Sequence, residues 1–158
     1  MRLPLVELIL LTAAAAVAAS ALPGCSRVTR GGVVRASWAL TPGVLNPDVT
    51  QATIATTICR RGWTRTIRPP VSYTNALKAK GIRAYRLRGP PSAYQEDHLI
   101  SLELGGDPVD PRNLWPEPYP RASAVDTIEN ELNRKVCGGE LSLAEAQARE
   151  SALKHADG

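Results

Sequence analysis

Two cysteines, Cys59 and Cys137, constrain this chain more than any other feature in it. The first two dozen residues read as an export signal. Arg2 gives a positive start, Leu3 to Leu22 is almost wholly apolar with Glu7 the exception, and small residues follow. Outside the cytoplasm, two remaining thiols usually pair. A Cys59–Cys137 bridge would close a loop of roughly eighty residues and contribute on the order of 4 kcal/mol by restraining the unfolded chain. The competing reading is two buried free thiols. Neither cysteine belongs to a Cys-x-x-Cys pair, so a zinc site built on them is excluded.

Residues 1–24 are assigned to the signal. The tetrapeptide Leu22-Pro23-Gly24-Cys25 resembles a bacterial lipobox, with Pro23 where a small residue is usual. Cleavage before Cys25 would leave that cysteine diacylated and hold the protein on the outer face of the membrane. Plain secretion and an uncleaved anchor are the alternatives, since the apolar run is long enough to span a bilayer. Each places the rest of the chain outside the cytoplasm. Residues 25–45, with Gly31-Gly32 and Pro42-Gly43, read as a flexible tether. Residues 46–158 are short enough for a single domain.

Charge is unevenly placed along the chain. No Asp or Glu occurs from Val49 to Gln95, a stretch that holds Arg60, Arg61, Arg65, Arg68, Lys78, Lys80, Arg83, Arg86 and Arg88. From Glu96 onward acids outnumber bases. A one-sign segment of this length attracts polyanions, of which a phosphate backbone is the commonest. Arg60, Arg61, Arg65 and Arg68 are the candidates to line a nucleic-acid path. A solvated face, or attraction to anionic envelope polymers and lipid headgroups, is the competing explanation.

Local signals give an α+β chain with a very small sheet. Asn46 as cap and Pro47 at the first position open a helix that should stop by Gly62, although its threonines are poor helix formers. A short helix runs from Ser72 to Lys80, with Gly81 as its stop. Asp97 to Leu104 alternates as a strand, Gly105-Gly106-Asp107-Pro108 turns, and Asn113-Leu114-Trp115 returns. A capping box at Ser123–Asp126 opens a helix with Val125, Ile128, Leu132 and Val136 on one face, ended by Gly138-Gly139. A second box at Ser142–Glu145 opens the last helix. Trp115 is expected in the core.

Within this order, Glu96-Asp97-His98-Leu99-Ile100, Gly105-Gly106 and Asn113-Leu114 resemble the HNH endonucleases, a ββα-metal (His-Me finger) family. The resemblance covers about thirty residues of motif, and about fifty with the next helix. The wider sequence from Leu45 to Cys137 is also similar to small exported actinobacterial proteins. The resemblance implies a ββα-metal hairpin-plus-helix core flanked by further helices. It implies metal-dependent hydrolysis of DNA or RNA, with a divalent ion such as Mg²⁺. His98 would be the general base, Asp97 a metal ligand, and Asn113 the residue that holds the loop orienting His98. Two positions depart from the family pattern. Ser101 stands where proline is usual. Ala122 and Ser123 occupy the place of the closing ligand, leaving Glu129 or Asn130 as substitutes, with Asp126 engaged in the capping box.

The chemistry is coherent apart from the resemblance. A neutral imidazole, with an unperturbed pKa of about 6.5, suits deprotonation of water near neutral pH. A divalent cation can neutralise charge on a phosphodiester while needing only one or two protein carboxylates. Neighbours on a regular strand point to opposite faces, so the strand must end or bulge at Asp97-His98 for both to reach one cleft. Glu96 is expected as a solvated neighbour. The alternative function is a non-catalytic envelope protein that keeps the hairpin as a scaffold and binds polyanions on its basic half.

Overall fold

The computed structural model describes residues 33–158. The expected signal and the Cys25 lipobox lie outside them. Helices and one two-stranded antiparallel sheet make up the architecture, so the class is α+β. Strand β1 (Tyr94–His98) pairs with β2 (Leu114–Pro118), setting Asp97 opposite Trp115 and His98 opposite Leu114.

Strand β1 begins and ends earlier than the alternation over Asp97–Leu104 suggests. The reason lies in the apolar run after His98. Leu99 packs with Val34, Ala36, Tyr94 and Trp115. Ile100 and Leu104 pack in a separate cluster with Val49, Ile58, Leu132 and Val136. The backbone donors of this run leave the ladder: Ile100 N goes to the Asn113 side chain, Ser101 N to the Glu150 carboxylate and Leu104 N to the Ser101 carbonyl. The run winds instead into a 3₁₀ turn at Leu102–Leu104, closed by Gly105 in the left-handed region (φ 78°). Gly106 follows where a Cβ would collide with the Ile100 carbonyl and lie 2.7 Å from the Asn113 amide nitrogen. The two glycines thus sit inside a long loop over 99–113 and do not form a tight hairpin turn. Asn113 closes a 3₁₀ turn (Pro111–Asn113), and the return strand starts one residue later.

The helix expected from Asn46 to Gly62 does not form. Thr53 Oγ1 donates to the Asp48 carbonyl (2.8 Å), and Thr57 Oγ1 to the Thr53 carbonyl (2.7 Å). Such local bonds compete with a helical ladder. Asn46 Oδ1 accepts from Asp48 N (3.0 Å) in a local turn. Only a 3₁₀ turn at Ile54–Thr56 results, and Gly62, the expected stop, precedes helix α1 (Trp63–Ile67) with φ 83°. Helix α2 (Val71–Ala84) runs through Gly81. A Cβ there would stand 2.8 Å from Pro116 Cδ, so the glycine lets the helix lie against β2.

Helix α3 (Tyr119–Cys137) follows β2 directly. The expected capping box at Ser123–Asp126 is absent. Proline at the helix start suits the first turn, and Ser123 Oγ reaches back to the Tyr119 carbonyl (3.4 Å) one turn into the helix. Val125, Leu132 and Val136 are buried as the periodicity requires. The Ser142–Glu145 box does open helix α4 (Leu143–Ala156). Cys59 and Cys137 form the disulfide, tying the segment before α1 to the end of α3. Trp115 is fully buried.

Residues 33–45 are not a free tether. Val34, Ala36 and Thr41 are buried, Ala36 N donates to the Lys154 carbonyl (3.0 Å), and Thr41 Oγ1 shares a hydrogen bond with the Tyr85 hydroxyl (2.7 Å). Among the described residues no helix is long and apolar enough to cross a membrane.

Candidate active site

Because β1 ends at His98, Asp97 and His98 both reach one cleft of about 180 Å³, lined also by Arg68, Glu103, Asp126, Glu129 and Asn130. His98 is almost fully buried, and its Nε2 lies 3.1 Å from the Pro108 carbonyl. A carbonyl only accepts, so Nε2 carries the hydrogen and Nδ1 keeps the lone pair. Burial lowers the imidazole pKa below its ordinary value, which keeps it neutral at pH 7.

The loop that carries Pro108 is held by Asn113. Its Oδ1 accepts from Ile100 N (2.9 Å) and from Val44 N (3.4 Å). Its Nδ2 donates to the carbonyls of Ile100 (3.0 Å) and Asp107 (2.9 Å). Both ends of the 99–113 loop are therefore tied to one buried amide, one residue from the carbonyl that fixes His98.

Sequence reasoning missed the group at the centre of the site. Lys154 of α4 is 0% exposed. Its ammonium donates to Asp97 Oδ2 (3.0 Å), Glu129 Oε1 (2.6 Å) and the His98 carbonyl (2.5 Å), and lies 3.3 Å from Glu150 Oε1. All three of its protons are used. Glu150, also fully buried, accepts from Ser101 N through both oxygens at 3.0 Å. A proline at position 101 would have no N–H to give, so the serine there matches the buried glutamate. A signal for these residues existed. Leu143, Ala146, Glu150 and Lys154 share the buried face of α4, so two charged residues stand where helical spacing calls for apolar ones.

One ammonium serves several carboxyl groups. Burial alone would raise Asp97, but the Lys154 charge and hydrogen bond outweigh it and hold that carboxylate below its ordinary range. Burial alone would lower Lys154, yet Asp97, Glu150 and Glu129 together raise it well above the usual value. Burial, with Asp97 and Glu150 nearby, pushes Glu129 up to about 9. Glu117 is wholly buried behind Asp97 with neither oxygen partnered, and burial and Asp97 push it to about 8. The Lys154–Asp97 ion pair thus sits among carboxyl groups whose pKa values burial raises.

The other expected residues divide. Glu129 is drawn into the cluster. Asn130 lines the cleft but is exposed, with its amide donated to the Asp126 carbonyl (2.6 Å). Asp126, free of a capping box, lines the cleft as well. Arg68 reaches the cleft, whereas Arg60, Arg61 and Arg65 are exposed outside it. Glu96 is not a solvated neighbour. It is half-buried beside Tyr85 and Leu114, its Oε2 has no partner, and burial pushes it up to about 8.

Among the described residues no three His, Cys, Asp or Glu side chains form a ready-made metal cage. The chemistry of the donors still suits a hard cation. Asp97 and Glu129 each give one oxygen to Lys154, and no described group donates to the second oxygen of Glu129. Asp126, Glu103 and Asn130 add oxygens to the same cleft. Mg²⁺ keeps most of its waters and needs only one or two protein carboxylates, and its charge would favour the ionised form of those that bind it. Comparison with known proteins adds no relative: no family model, no curated protein and no solved structure matches the chain.

Proposed function

We propose that the protein is an exported hydrolase of nucleic-acid phosphodiester bonds, of the HNH type that its Asp97-His98…Asn113 motif resembles. The observation that carries this reading is the pinned tautomer of His98. A buried, neutral imidazole whose Nε2 is bound to Pro108 leaves Nδ1 as a base, at a strand end that also delivers a carboxylate to the same cleft. His98 would take the proton from the attacking water. Asp97 and Glu129 would hold a divalent cation, which when bound neutralises charge on the phosphate and the leaving oxygen. Arg68 at the cleft would meet the phosphate backbone, with Arg60, Arg61 and Arg65 extending the positive surface along the acid-free segment.

The test is cleavage of plasmid DNA and of RNA by the purified protein with Mg²⁺, with a chelator, and with His98→Ala. Cutting should require the metal and fall by about 10²–10⁴-fold in the variant. Cutting unaffected by His98→Ala refutes the assignment. A second reading is favoured by Lys154, which already neutralises Asp97: a non-catalytic envelope protein with a polyanion-binding face. It predicts chelator-insensitive binding of nucleic acid with no cutting at all.

A further inference from the structure

We infer that Lys154 is a positioning residue for the cation of this site, an internal counter-ion on a remote helix that fixes how Asp97 and Glu129 present their remaining oxygens. The inference rests on the metal-hydrolase reading above. Two carboxyl groups on different elements, β1 and α3, would otherwise turn independently. A single ammonium lies 3.0 Å from one and 2.6 Å from the other, and so sets their separation and their rotation together. The same ammonium binds the His98 carbonyl, which fixes the strand end from which the imidazole leaves. Glu150 completes the arrangement: it braces the ammonium at 3.3 Å and holds the loop start through Ser101 N. Lys154 itself is sealed from the cleft, so it touches neither substrate nor metal and acts through the carboxylates. Groups that orient metal ligands in this way typically change metal affinity or activity by about 10–100-fold when removed.

Removing Lys154 alone leaves three buried acids without their cation, and that variant can fail to fold. The informative variant is Glu150→Leu/Lys154→Met, which removes one charge of each sign and fills the space with apolar groups. The full-length protein is titrated with Mn²⁺, followed by electron paramagnetic resonance, with circular dichroism to check the fold. The folded double variant should bind Mn²⁺ about 10–100-fold more weakly, and its kcat should fall by a similar factor while KM for DNA moves less than about threefold. Unchanged Mn²⁺ affinity in the folded variant overturns the inference, as does a wild-type protein that binds no Mn²⁺. A measurement on the unmutated protein tests it without any variant. The Lys154 ammonium, shielded from solvent exchange, should give a distinct ¹⁵N resonance that moves on addition of Mg²⁺, and a resonance that stays fixed at saturating Mg²⁺ overturns it. If Mn²⁺ binds as expected but no nucleic acid is cut, the nuclease reading falls while the role of Lys154 is decided by the affinities alone.

Discussion

Replacing Asn113 by alanine should cost far more than a typical substitution. The side chain is 0% exposed and makes three close bonds, at 2.9, 3.0 and 2.9 Å, to Ile100 N, Ile100 O and Asp107 O. Alanine would strand those backbone groups within a buried loop. At about 1–3 kcal/mol for each unsatisfied group, partly offset by relaxation and water, the loss should be about 4 kcal/mol. That is a large share of the roughly 5–15 kcal/mol that stabilises a domain, and should lower Tm by about 15 °C. Asn113→Asp is the sharper probe, because it turns two donated hydrogens into acceptors facing two carbonyls. It should be at least as damaging as alanine at pH 7. Urea denaturation of both variants measures the effect. A cost below about 1 kcal/mol for Asn113→Ala, or a milder effect for aspartate, would refute the claim that this amide holds the loop.

Other outcomes follow from the same geometry. The pH profile of kcat/KM should be flat near pH 7 and fall on the acid side with a midpoint below about 6.5, because burial lowers the pKa of a base that must be neutral; a midpoint above neutrality contradicts the assignment of His98. Glu117 has the opposite linkage. Its folded-state pKa is raised to about 8, so stability should decline as pH rises from its unfolded value towards that point, and Glu117→Gln should flatten the decline in urea midpoint over the same range. Removing the disulfide by Cys59→Ser/Cys137→Ser opens a loop with a sequence separation of 78 and should cost about 4 kcal/mol in denaturant titrations; a loss under 1 kcal/mol would mean that the unfolded chain is already restrained there.

Much of the local structure was legible because its signals act over a few residues. The Ser142–Glu145 box and the apolar face of α3 need only neighbouring residues to be recognised. The cysteine pairing followed from the count and from the export expected of the chain. What failed depended on partners far along the chain. Gly81 looked like a helix stop, and only the approach of Pro116 explains why the helix continues through it. The alternation after His98 suggested a longer strand, and only the distant side chains of Asn113 and Glu150, which take the N–H groups of Ile100 and Ser101, end it. Helical spacing put Glu150 and Lys154 on the buried face of α4, but nothing local reveals that Asp97 and Glu129 are their partners.

That arrangement has a consequence for timing. In a chain that is threaded outward from its beginning, β1 and α3 emerge well before α4. Until the final helix docks, Asp97 and Glu129 lack the ammonium they share, and the loop start at Ser101 lacks its anchor. A chain exported as proposed would carry the motif without a formed site until α4 docks against α3 and the turn at Leu102–Leu104.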